Sequence, residues 1–263
     1  MNVNVMKTVI TGTLLLCSQI SVADVIFSDD FESGKASSLW TDLTSVAVVP
    51  LPSATGRAGS AMRFTYKGNA DDTQDAFAEA RFDLKAEYKK LSIKYDLFVP
   101  ENYIHQKPSD RIDNNKFFRL WREKYTVGDH IGASMLSEPD GDSLLGVDYK
   151  LEPTWGISTG IDPKGNFISA ADRGKWLAIR IEVEAPVSAT QLGAIRIYKN
   201  DKLFVGTNKV TDVEPGEQGW RYGYLLGWAN SGFRADTFLY IDNVQIEDSV
   251  SQKPKPPENT LVR

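Results

Sequence analysis

The chain has 263 residues, 41% hydrophobic and 25% charged, with 30 Lys and Arg against 35 Asp and Glu for a net charge of −5. That balance argues against generic binding to nucleic acid or to anionic membranes, which needs an excess of clustered cations. One cysteine, Cys17, excludes a disulfide framework within the chain and any metal site built on several thiolates.

In chain order, residues 1–23 come first: Lys7, an apolar run, and the small-x-small ending Ser21-Val22-Ala23. They read as a secretory signal peptide with Asp24 as the mature start, so the expected location is secreted or periplasmic. The run is too short for a membrane span, and Leu16 before Cys17 is larger than a lipid-anchoring signal prefers. Roughly 240 residues remain, enough to bury a core without covalent staples.

From Asp24 onward, sustained helical periodicity is scarce and short alternating runs between Gly, Pro, Asn and Asp are common. LSIKYDLFVP alternates Leu91, Ile93, Tyr95, Leu97 and Val99 against Ser92, Lys94, Asp96 and Phe98. WLAIRIEVEAP places Leu177, Ile179, Ile181 and Val183 inward, with Arg180, Glu182 and Glu184 outward. AIRIYKNDKLFVGT reads as a hairpin turning at Asn200-Asp201, residue types that tolerate left-handed backbone. RYGYLLGWANSGF and TFLYIDNVQIED complete the strands, and only Asp71–Gln74 and Ala170–Arg173 suggest helical turns. Three long interruptions are expected, at Pro100–Asn114, Gly128–Gly146 and Leu151–Gly174. The expectation is an all-β, two-sheet antiparallel sandwich with long loops over 24–248, followed by a Pro-rich disordered tail at 249–263. Its first and last strands should pair, since domain termini are often neighbours.

The stretch DNNKFFRLWREKY, Asp113–Tyr125, mixes strong strand formers with cations. Strict alternation puts Lys116, Phe118 and Leu120 on one face and Phe117, Arg119 and Trp121 on the other. Phe118 and Leu120 suit the core, which would leave Arg119 and Trp121 facing a groove with Lys116 at the strand entrance.

The opening DDFESG and the closing YIDNV resemble the brackets of secreted jelly rolls of the concanavalin A-like lectin and glucanase superfamily. The middle resembles the polysaccharide-lyase branch of that superfamily, of the alginate, glucuronan and heparin lyase type. A strand of the R-x-E-x-R kind is represented by Glu79-Ala80-Arg81, with Phe77 where the leading Arg would stand. Val99-Pro100-Glu101-Asn102-Tyr103 matches an apolar-Pro-Glu-x-aromatic turn, and Lys116-Phe117-Phe118 follows. Two further alginate-lyase signatures, Q-[IV]-H and Y-F-K-A-G-x-Y-N-Q, are absent, as is the E-x-D-x-x-E strand of laminarinase-like glycosidases. The resemblance implies a fold, an acidic polysaccharide as partner, and a structural Ca²⁺ held by Glu32 and Asp242; no organic cofactor is expected.

Cleaving a uronate chain by β-elimination removes a proton from the carbon beside a carboxylate. The carboxylate must be neutralised, the enolate-like charge stabilised, and a base placed at the proton. His130 and His105, the only histidines, are the candidate bases; Arg119 is the candidate for the carboxylate and Tyr149 for the acid. Lys116, Trp121, Glu79, Arg81, Trp155, Arg196, Tyr198, Tyr224 and Trp228 are candidate substrate contacts, as cations, hydrogen-bonding groups or stacking surfaces. The expected protein is a monomeric polysaccharide lyase. Two alternatives stay open: a non-catalytic carbohydrate-binding protein, and a glycoside hydrolase with two carboxyl groups ~5–9 Å apart, for which Glu79, Asp96 and Glu182 are the acids to locate.

Overall fold

Alternation of apolar and polar residues generates nearly all of the regular structure. The computed structural model describes residues 23–70, 74–108, 113–125, 129–150, 165–210 and 218–249. Of the described residues, 59% are strand and 3% helix. In order, the strands are β1 (Asp24–Asp29), β2 (Trp40–Thr44), β3 (Val46–Pro50), β4 (Ser60–Tyr66), β5 (Glu79–Tyr88), β6 (Lys90–Val99) and β7 (Asn115–Trp121). They continue as β8 (His130–Ser137), β9 (Ser143–Lys150), β10 (Lys175–Glu184), β11 (Gly193–Lys199), β12 (Lys202–Val210), β13 (Trp220–Leu225) and β14 (Thr237–Asp248).

Two antiparallel, unclosed sheets result, as the patterning implied. One runs β12-β11-β10-β6-β14-β4-β3, with β1 added against β14; the other runs β2-β5-β13-β7-β8-β9. Pairing of β1 with β14 joins the two ends of the domain, Asp24 opposite Asp248. Asp29 knots the DDFESG corner: its carboxylate accepts the amides of Phe31 (3.0 Å) and Ser37 (2.9 Å) and the indole N–H of Trp40 (3.0 Å). That motif therefore builds the fold.

The inward sets expected on β6 and β10 all lie in one core between the sheets. From the other sheet come Ala80, Phe82 and Leu84 of β5, Phe117, Phe118 and Leu120 of β7, and Ile131 and Ala133 of β8. Each large side chain so buried contributes about 1.5–3 kcal/mol. The β11–β12 turn carries the foreseen left-handed pair, Asn200 (φ 50°) and Asp201 (φ 62°). Ala170–Asp172 forms one 3₁₀ turn.

The segment Gly128–Gly146 differs from its expected loop, for it contains β8 and part of β9. HIGASMLS has no clean alternation because it is buried on both faces, the core on one side and large side chains on the other. Residues 1–22 of the expected signal peptide, most of Asp71–Gln74, Trp155 and residues 250–263 of the expected tail lie outside the described residues. Among the described residues no helix is long and apolar enough to cross a membrane.

Candidate functional site

The outer face of the six-stranded sheet collects most of the singled-out side chains, and its register orders them into rows. One row runs Asp42, Arg81, Tyr224, Arg119, Gly132, Asp148 across β2, β5, β13, β7, β8 and β9. The next runs Asp83, Tyr222, Trp121, His130. On the other side Lys116 stands opposite Ser134.

Lys116 owes its place to a β-bulge. It pairs with Ser134 while Phe118 pairs with Ala133, leaving Phe117 as the extra residue. Phe117 and Phe118 are both fully buried, and Phe117 meets Tyr95 (6.3 Å) and Phe167 (5.0 Å) across the sandwich. Two consecutive core residues shift the phase, so Lys116 shares a face with Arg119. The strict alternation expected from the sequence, which grouped Lys116 with Phe118, is corrected here: driving a second aromatic into the core outweighs one regular ladder step.

Lys116 Nζ donates to Asn230 Oδ1 (2.6 Å) and to Asn114 Oδ1. Burial, then repulsion from the Arg119 guanidinium, lowers its ammonium to about 8. Gly227 marks the centre of this corner. A Cβ there would lie 2.8 Å from the Tyr224 ring, 3.1 Å from Lys116 Cβ and 3.2 Å from Glu79 Oε2. Tyr224 is buried, and burial holds its phenol well above the ordinary value, keeping it protonated. Glu79 is also raised by burial, although Arg81 Nε donates to it at 2.5 Å.

Around this corner, aromatic rings form a floor. Trp121 meets Tyr125 (4.9 Å), Tyr224 (5.5 Å) and His130 (5.9 Å), and the Arg81 guanidinium lies 3.6 Å above Tyr125. Tyr125 also donates to Glu79 Oε2 (3.3 Å), and burial pushes its phenol up to about 12.

Arg119 extends across β8. Nη1 lies 2.7 Å from Asp148 Oδ1, and Nη2 donates to Ser134 Oγ (3.2 Å), which donates to Asp148 Oδ2 (3.2 Å). His130 Nε2 stands 3.7 Å from the same carboxylate. Burial alone would raise Asp148; the Arg119 charge and His130 overcome it and hold the carboxyl below its usual range. Gly132 makes this crossing possible, because a Cβ would meet the Phe118 carbonyl and lie 2.5 Å from Arg119 Nη1. Gly132→Ala is expected to cost about 1–3 kcal/mol, measured as a lower unfolding midpoint in urea.

Thus Glu79, Arg81, Lys116, Arg119, Trp121, His130 and Tyr224 come together, with exposed Trp228 at the Lys116 end, where its carbonyl accepts the Lys116 amide (2.9 Å). His105 does not join them. It is 1% exposed, with Nδ1 at 2.8 Å from Ser143 Oγ and Nε2 at 2.9 Å from Ser231 Oγ, and burial lowers it to about 4. Tyr149 faces the core, since its neighbour Asp148 takes the outer side of β9. Arg196 and Tyr198 lie on the eight-stranded sheet, in a charge network with Glu182 and Glu184: Arg196 Nη1 is 3.0 Å from Glu184 and Tyr198 donates to Glu182 (3.2 Å). This network borders a shallow concavity of about 690 Å³. Its lining holds no histidine and no tryptophan, which makes it the weaker candidate for the expected chemistry. Asp96 and Glu182 are on that sheet too, away from Glu79, so the three acids considered for hydrolysis do not face one another.

Glu32 and Asp242 approach each other, but the charge between the local carboxylates is Arg57. Its Nη1 lies 2.6 Å from Asp96 and 3.7 Å from Asp242, while Glu32 accepts the Ser60 amide (3.2 Å). Among the described residues no three acidic, His or Cys groups converge as a metal cage. As arranged, the residues fit an ion-pair network better than the six to eight oxygens Ca²⁺ takes. Adding Ca²⁺ or a chelator is expected to leave the melting temperature unchanged.

Several members were not visible as such in the sequence: Asp148, Tyr125, Asn114, Asn230 and Gly132. For the outward turn of Lys116 the adjacent pair Phe117-Phe118 was the available signal, since strict alternation cannot send both aromatics into one core.

No known protein-family profile and no curated protein sequence matches the chain. Solved structures do match its fold. The marine alginate lyase from Aplysia kurodai superposes with a TM-score of 0.55 at 14% identity, over 85% of this chain and 99% of that one. An alginate lyase from Chlorella virus gives 0.53 at 12% identity over 86% and 100%. The endo-β-1,4-glucuronan lyase of the fungus Trichoderma reesei gives 0.52 at 11% identity over 85% and 95%. The chain has the jelly-roll fold found in polysaccharide lyases. At these identities the likeness is one of fold.

Proposed function

We propose that the protein is a polysaccharide lyase that cleaves a uronate-containing chain by β-elimination on the outer face of the six-stranded sheet. The observation that carries this reading is Lys116: a half-buried amine with a lowered pKa that shares the Gly227 corner with a protonated tyrosine, on a face that also bears an arginine. In this reading the neutral Lys116 Nζ takes the proton from the carbon beside the carboxylate. The electron pair becomes the new double bond, the bond from the neighbouring carbon to the glycosidic oxygen breaks, and the Tyr224 hydroxyl protonates the leaving oxygen. Arg81, 28% exposed and shared between Glu79 and Asp42, is the arginine placed to turn part of its guanidinium toward the carboxylate. Arg119 is already engaged by Asp148, so its role is support.

The fold likeness to alginate and glucuronan lyases supports the reading at the level of polysaccharide cleavage. Against hydrolysis stands the pairing of acids on this face: Glu79 and Asp42 with Arg81, Asp83 with Arg221, and Asp148 with Arg119. Incubating the protein with alginate, glucuronan, glycosaminoglycans and bacterial heteropolysaccharides should generate the ultraviolet absorbance of an unsaturated uronate. No gain on any of them would sink the lyase reading.

A further inference from the structure

Trp228 is 45% exposed, an unusual state for an indole held so firmly. Its Nε1–H donates to Asp75 Oδ2 at 2.5 Å, and its ring packs on Phe77 with centroids 5.1 Å apart. Phe77 alternates with Glu79 and Arg81 on the outer face, because Ala78 and Ala80 between them are core. Asn230 reaches the same Asp75 carboxylate (3.2 Å) and also accepts from Lys116. The indole thus has a fixed orientation, an open face, and a position one backbone hydrogen bond from Lys116.

We propose that Trp228 on Phe77 and Asp75 is a subsite for an uncharged pyranose next to the cleavage point, and that the substrate is a heteropolysaccharide in which uronates alternate with neutral sugars. This rests on the lyase reading for the substrate class, though not for the subsite. A rigid aromatic face suits the C–H face of a sugar ring. The Asp75 carboxylate beside it repels a carboxylate on the stacked ring and accepts hydroxyls. The wider face agrees. Its described arginines, Arg81, Arg119 and Arg221, each already answer a protein carboxylate. A polymer with a carboxylate on every ring would find little uncompensated positive field there.

Two measurements decide it. Calorimetric titration with a panel of uncharged hexasaccharides (cellohexaose, xylohexaose, mannohexaose) and with an oligoglucuronate of the same length tests the subsite. At least one neutral oligomer should bind more tightly than the oligoglucuronate, and Trp228→Ala should weaken it about tenfold. Asp75→Asn should narrow the preference against the oligoglucuronate. Tighter binding of the oligoglucuronate, no binding of any neutral oligomer, or no effect of Trp228→Ala overturns the subsite. Separately, gellan or hyaluronan should be cleaved at least about tenfold faster than glucuronan or alginate. The reverse order overturns the substrate class and leaves the lyase reading intact. No cleavage of any polymer overturns the lyase reading, and the titration still decides the subsite.

Discussion

Lys116→Ala is expected to lower kcat by about a hundredfold to ten-thousandfold, the range that general acid–base groups contribute. Lys116→Arg should be equally inactive, because guanidinium keeps the charge but does not give up its proton. The pH profile makes the assignment specific. A lysine base works only when neutral, so kcat/KM should rise as pH passes through about 8, where burial and Arg119 have brought this amine. The same shift has a stability signature. The folded state binds fewer protons than the unfolded chain between about 8 and the ordinary lysine value, so stability contributed here rises with pH in that window. Unfolding midpoints of wild type and Lys116→Met measured across that window should converge at its upper end. A profile that does not rise near 8, or an active Lys116→Arg, would remove Lys116 as the base and return His130 to that role.

Arg119→Met is expected to cost about 3–5 kcal/mol, since it leaves Asp148 as a buried charge without its main partner. Asp148 lies 2.7 Å from Arg119 Nη1 and is 16% exposed, so solvent can do little to compensate. Pairing the change with Asp148→Leu should recover most of the loss, because removing both charges removes the desolvation cost. The pH dependence has a definite sign. Asp148 is held below its usual range, so its favourable contribution is present above the unfolded carboxylate value and is lost as pH falls through the folded one. The gap between wild type and Arg119→Met should therefore close under acid. Chemical denaturation of the two single variants and the double variant checks this; additive losses would show that the pair does not act as a unit.

Much of this was open to reading along the chain. The inward sets of β6 and β10, the Asn200-Asp201 turn and the meeting of the two termini all follow from local periodicity and turn chemistry. The groove candidates were less evenly legible. Arg119, Trp121, Tyr224 and Arg81 emerge on one face because each lies on a strand whose alternation is intact around it. His105 and Tyr149 had the right side chains in the wrong setting: one is bonded at both ring nitrogens by serines distant in sequence, and the other turns inward because β9 pairs with β8 in a definite register. Phe77, noticed at first only as a substitution for an expected arginine, acquires a use through Trp228, 151 residues further along the chain.

By itself the sequence determined the all-β class, the two-sheet architecture and the strand on which the proposed base lies, because a period of two is a local property of the backbone. Only the tertiary structure decided which side chains share the site. The bulge at Phe117 exists because the opposite sheet offers Tyr95, and Phe167 closes over it, as a pocket for a second aromatic. That long-range packing turned Lys116 outward beside Tyr224, and the missing side chain of Gly132 let Arg119 reach Asp148. Neither event leaves a periodic trace, since each depends on what lies across the sandwich or on the next strand.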